Sequence, residues 1–168
     1  MFNVAAQPVV GICQFEALAY TCWLQAQCGR PVRLPCEAEW EAAARGRQRG
    51  RWPWGEQPPE RWQINADPAH LRRTSPIGVF VQGDNADGLA DLAGNVWEWS
   101  ASAFTDRLAI SALIAEAPDG LARRVVRGGS WGGTTELCRP SYRGRFSPGL
   151  RDNDLGFRLV SSCPIPEP

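Results

Sequence analysis

Hydrophobic and polar positions keep two different rhythms along this chain, and over several long stretches they keep none. Between Phe15 and Gln27, the residues Ala17, Leu18, Cys22 and Leu24 fall at helical spacing, and Gly29 supplies a stop. The stretch Arg33-Leu-Pro-Cys-Glu-Ala-Glu-Trp-Glu-Ala-Ala-Ala-Arg-Gly46 predicts a second helix. Pro35 bars helix before it, and Cys36 takes the N-cap. Glu39 stands where a capping box places its acid, and Gly46 ends the helix. Cys is a poor cap, at a cost of ~1 kcal/mol relative to Ser or Thr. The period then shortens to two. Val96, Trp97 and Trp99, interspersed with Asn95 and Glu98, begin a strand, and Val125 to Trp131 and Gly156 to Val160 predict two more. Two short helices, then short strands and much ordered loop, give the α+β class.

Three stretches lack a period. Residues 50–94 are rich in Gly, Pro, Trp and Asn, and Trp52, Trp54 and Trp62 are expected to pin them down as a packed loop region. Thr105 to Arg123 reads as an excursion. Gly132 to Asp154 has neither a period of two nor one of 3.6, so neither a packed helix nor an ordinary strand is expected there. It mixes Tyr, Phe, Leu, Arg, Asp and Gly, which suits a binding surface displayed on a rigid frame. The framework aromatics Trp97, Trp99, Trp131 and Phe157 are expected to be buried.

Composition narrows the classes. A chain of 168 residues is enough for one domain, expected to run over 1–168. A domain of that size buries roughly two thirds of its unfolded surface. A 43% hydrophobic content with eight Trp indicates a real core. The formal net charge is zero, which gives no support to a nucleic-acid or anionic-membrane partner. Every basic side chain is Arg. The four between Arg45 and Arg51 read as a solvated turn rather than an anion site. Cys13, Cys22, Cys28, Cys36, Cys138 and Cys163 form no zinc-like spacing with the single His70. Reduced structural thiols in a reducing compartment such as the cytoplasm are expected, with Cys13, Cys22 and Cys28 in a helical core. No signal peptide opens the chain and no run is long enough to span a membrane.

Ordered blocks run through the chain. They are Pro8-Val-Val-Gly-Ile12, Ala19-Tyr-Thr-Cys-Trp-Leu24, the second-helix stretch, Trp52-Pro-Trp-Gly55, Gly88-Leu-Ala-Asp-Leu-Ala-Gly-Asn-Val-Trp-Glu-Trp99, Arg124-Val-Val-Arg-Gly-Gly-Ser-Trp131 and Leu155-Gly-Phe-Arg158. Together they resemble the formylglycine-generating-enzyme, or sulfatase-modifying-factor, domain family. That resemblance implies a C-type-lectin-like fold. It also implies that a segment preceding the Pro8 block is missing, so the chain reads as a trimmed form or as a domain whose sheet is completed by another segment. In the enzymes of the family, two cysteines between the Gly-Gly-Ser and Leu-Gly-Phe-Arg blocks hold copper, because Cu(I) takes two soft thiolates. Cys138 matches the second of these; the first falls at Gly133, which has no ligand atom. A metal-dependent oxidase with an altered or lost copper site is therefore the alternative reading, and in it Gly132 to Asp154 is a drifted surface loop.

The chain more closely resembles the variable proteins of diversity-generating retroelements, in which the segment between these blocks is mutagenised at adenines of the template. The substituted positions would be Gly132, Gly133, Thr134, Tyr142, Gly144, Phe146, Ser147, Gly149, Leu150, Asp152 and Asp154, each reachable from an Asn codon by changing its adenines. Glu136 is not reachable in this way. Arg139-Pro-Ser141, Arg143, Arg145, Pro148, Arg151 and Asn153 would be template residues left intact. Arg143 and Arg145 would display the segment or hold the frame by pairing with buried carboxylates or carbonyls. The resemblance implies a non-enzymatic protein that binds a protein or other macromolecular ligand through the variable face. No cofactor is required. Calcium is the candidate cation, with hard oxygens from Asn95 and Glu98, as in some family members. The alternative is that both hydrogen-bond neighbouring loops. The family's other calcium site would use Asn65. Asp84-Asn-Ala-Asp-Gly88 lacks the Glu that closes an EF-hand loop and is expected to be a turn.

Overall fold

The computed structural model describes residues 6–69, 71–105 and 122–161. His70, Cys163 and most of the excursion lie outside them. Both predicted helices are present. Helix α1 spans Gln14–Cys28, one residue longer at each end than the spacing predicts, and Gly29 caps it in the left-handed conformation. Helix α2 spans Glu37–Arg45. Its first turn is closed by Glu39, whose carboxylate accepts the Cys36 backbone N–H at 2.8 Å. The α1 end uses the same device, with Glu16 accepting from Cys13 N at 2.8 Å.

The strands are β1 (Val32–Arg33), β2 (Trp97–Ala103), β3 (Arg124–Arg127), β4 (Gly144–Phe146), β5 (Leu155–Phe157) and β6 (Val160–Ser161). Four of them form a mixed sheet in the order β4-β3-β2-β5, and β1 pairs with β6. β2 runs antiparallel to β3 and parallel to β5. Its period of two sorts its side chains by face. Trp97, Trp99 and Ala101 enter a core with Ala17, Leu34, Val126 and Leu155. Glu98 and Ser102 turn to α2, where Glu98 accepts from Trp40 Nε1 at 2.6 Å and Ser102 Oγ from Glu37 N at 3.0 Å.

Several expectations need correction, among them the Gly156–Val160 strand, which is split at Arg158 and Leu159 between β5 and β6. The predicted strand from Val125 to Trp131 stops at Arg127, because Gly128 and Gly129 turn the chain at φ of 93° and 71°. A Cβ at Gly129 would strike the Cys138 sulfur. Trp97 and Trp99 are buried as expected, but Trp131 and Phe157 are only half-buried. In the 50–94 region Trp52 is buried and stacks on Trp54 with ring centroids 5.5 Å apart, whereas Trp62 is exposed. Cys22 and Cys28 lie on the outer side of α1, not in its core. The Asp84–Gly88 turn is present, with Asn85 Oδ1 accepting from Asp87 N and Leu89 N. No helix among the described residues is long and apolar enough to cross a membrane.

Candidate functional site

Six carbonyl oxygens of the segment from Gly132 to Asp154 are held by donors outside it. Asp67 N donates to Gly133 O, Gln14 N to Pro148 O, Gly11 N to Asp152 O, and Trp97 N to Asp154 O, at 2.8–3.1 Å. Arg127 completes the set, donating to Tyr142 O at 2.9 Å and to Pro140 O at 2.5 Å. These bonds fix the path of the main chain and ask nothing of the side chains at those positions.

Arg127 sits at the centre of this anchoring. It is fully buried at the end of β3, above the Trp40 ring. It pairs with Glu37 at 3.2 Å and Glu41 at 2.5 Å, both from α2. Glu37, itself 1% exposed, takes Arg143 as well, at 2.5 Å from Nε and 2.9 Å from Nη2. A buried guanidinium needs its charge and its Nη donors matched in this way; the Arg127 Nε finds no partner among the described residues. The sequence reading named Arg143 as a frame residue but missed Arg127, Glu37 and Glu41. Their signal was a charge closing the Val125-Val126 pair of β3 and two acids four apart on one helix face.

Among the eleven candidate ligand-binding positions, Gly132, Thr134, Tyr142, Ser147, Gly149 and Asp152 are exposed. Gly133, Gly144, Phe146, Leu150 and Asp154 are half-buried. The segment is therefore not free of regular structure, since Gly144–Phe146 forms the edge strand β4. Phe146 packs edge-on against Trp97 and Trp99, with centroids 6.2 and 6.3 Å away, and Leu150 also leans on the core. At Gly144 a Cβ would come within 2.7 Å of Val126 Cγ2 and 3.0 Å of Trp97, so a larger residue there requires the frame to give. Trp97 gathers Tyr142 and Phe146 around its ring, with the Tyr142 centroid at 6.0 Å. Gly132 adjoins Asp154, whose Oδ2 accepts from Ser130 Oγ at 2.5 Å. Burial raises the Asp154 carboxyl above its ordinary range.

Two metal sites can be tested against these side chains. For copper the donors do not fit. Position 133 carries no ligand atom, and Cys138 is fully buried, with its thiol pushed up to about 12 by desolvation. For calcium, Glu98 gives both oxygens to Arg158, at 2.6 and 2.7 Å, and one of them also to Trp40. Asn95 Oδ1 accepts from Ser75 N and from Asn65 Nδ2, at 3.0 and 3.3 Å. Asn95 and Glu98 thus serve different partners and do not share an open coordination sphere. A cavity of about 670 Å³ lies beside them, walled by Val9, Ile12, Tyr20, Ile77 and Phe157 among others; none of the eleven candidate positions lines it.

Residues 2–163 match the family model described as the sulfatase-modifying factor enzyme 1-like domain. The chain belongs to that family. Its α+β architecture is the family's C-type-lectin-like fold, and it superposes on Treponema denticola variable protein 1 with a TM-score of 0.77 at 25% identity, covering 92% of this chain and 70% of that one. Curated relatives are of both kinds, catalytic and not. One is a hercynine oxygenase of Mycolicibacterium thermoresistibile, 36% identical over 92% of this chain. Another is the mouse protein named inactive C-alpha-formylglycine-generating enzyme 2, 37% identical over 95% of this chain. The chain spans 36% of the length of the first and 51% of the second.

Proposed function

We propose that this family member is a non-enzymatic ligand-binding protein, the variable protein of a diversity-generating retroelement, and that the segment 132–154 is its displayed surface. One observation carries the reading: framework donors hold the segment through six of its carbonyl oxygens, so side chains at its exposed positions can be exchanged while the main chain stays in place. Likeness to a variable protein in fold supports it, as does the poor fit of the donors around Cys138 to copper. The ligand is a protein or other macromolecule, and the contacts come chiefly from the exposed positions 132, 134, 142, 147, 149 and 152. Phe146 and Leu150 contribute partial faces and also support the core.

The test is to randomise the six exposed positions together and select binders from the displayed library. Retained melting temperature with binders to unrelated targets supports the proposal, because surface substitutions typically move stability by about 0.5 kcal/mol or less. Loss of the fold in most library members contradicts it. So does copper-dependent oxidation of a cysteine-containing peptide by the unaltered chain, which would favour the oxidase reading.

A further inference from the structure

We propose that the pocket between β4 and the end of β2 is an anion-accepting anchor, built to take a carboxylate side chain of a protein ligand. This deepens, and rests on, the reading of segment 132–154 as a binding surface. The pocket encloses about 400 Å³. Trp97, Tyr142 and Phe146 line it together with Phe104, Arg143 and Arg145. The guanidiniums of Arg143 and Arg145 both lie over the Phe104 ring, 4.8 and 4.9 Å from its centroid.

Among the described residues, the charges that reach this pocket do not balance. Glu37 is shared by Arg127 and Arg143, and Glu41 by Arg127 and Arg45. Glu37, the carboxylate that reaches Arg143, thus already serves two guanidiniums. Arg145 adds a further positive charge, is exposed, and has no carboxylate partner among the described residues. Arg143 is already held by Glu37 through Nε and Nη2, so an incoming carboxylate would gain its charge-assisted hydrogen bonds chiefly from Arg145. The aromatic walls supply the apolar contact area of a recognition hot spot. A nucleic-acid backbone fits less well, since phosphate binding draws on many cations and this chain carries no net charge.

The pocket also joins two kinds of residue. Tyr142, Gly144 and Phe146 belong to the candidate substituted positions, whereas Trp97, Phe104, Arg143 and Arg145 do not. A constant cationic anchor would therefore sit inside a changing rim. It would fix one acidic residue of each ligand and leave the rim to choose its neighbours.

The experiment pans a random dodecapeptide phage library against the chain and measures the selected peptides on Arg145→Gln and Tyr142→Ala. Arg145 and Tyr142 are surface residues, and an unchanged melting temperature for each variant verifies that the fold is intact. The expected result is enrichment of Asp and Glu in the selected peptides. Each should lose at least tenfold in affinity on R145Q, and weaken as salt is raised. Peptides that depend on Tyr142 but bind R145Q unchanged would overturn the anchor and leave the binding surface standing. Peptides indifferent to both variants, or no selected peptide at all, would overturn the anchor and the binding surface together.

Discussion

Arg127 fixes the main chain of the 132–154 segment at Pro140 and Tyr142 without engaging their side chains. Its guanidinium joins two acids of α2 to two carbonyls of the candidate binding segment. Arg127→Met should therefore destabilise the fold by about 3–5 kcal/mol in urea melts, since it removes the buried partner of the Pro140 and Tyr142 carbonyls and leaves Glu37 only Arg143 and Glu41 only Arg45. A loss under about 1 kcal/mol would show that the cluster is incidental. Cysteine behaves as a second probe at this scale. Cys22 and Cys28 are exposed, whereas Cys138 is buried with its thiol at about 12. Native alkylation with iodoacetamide at mildly alkaline pH, read by mass spectrometry, should label the first two and spare Cys138 until the chain unfolds. Equal labelling of Cys138 would contradict its burial. The sequence misplaced Cys22 and Cys28 because helical spacing identifies a period but not which arc of the helix meets the core.

At the scale of elements, the caps and the long alternating strand were legible, because their signals are local. Cys36, Glu39 and Gly46 mark α2 within one turn of each end, and the period of two at Trp97 and Trp99 marks β2. β4 was not legible. Gly-Arg-Phe is too short to show a period, and it is a strand only because β3 offers it an edge. Trp99→Ala should cost about 3–5 kcal/mol in denaturant melts, as expected for a buried aromatic with no exposure. Wild-type-like stability would rule out its place in the core. The α1 cap links to the 132–154 segment through Glu16, which accepts both Cys13 N and the Arg151 guanidinium. The Arg151 hydrogen bonds, then that of Cys13, lower the Glu16 carboxyl from 4.5 to about 2. A lowered carboxyl stabilises the fold above its unfolded value, and that contribution is lost as pH falls from about 4.5 towards 2. Melting temperature should drop across that window, and the slope should be shallower in Glu16→Gln. Parallel curves for the two proteins would show that Glu16 takes no part.

At the scale of the whole molecule, the ordered blocks from Pro8 to Arg158 made both family and fold legible, and the family model covers nearly the same span. The candidate binding segment stands out in the sequence only as a contrast between a patterned frame and an unpatterned filling. Its division into exposed and half-buried positions depends on β4 and on the ring of Trp97, which are long-range consequences of packing. The central claim is that side chains at chosen positions of 132–154 are exchanged while the frame stays constant. The most direct measurement is the sequence of the DNA flanking the coding region. The expected result is a near-copy of the stretch encoding residues 132–154, beside a reverse-transcriptase gene, with mismatches confined to adenines of the copy. Those mismatches should fall on codons such as those of Tyr142, Ser147 and Asp152 and spare those of Arg143 and Arg145. Flanking DNA without such a copy, or mismatches scattered over all bases and over the anchoring residues, would contradict the claim.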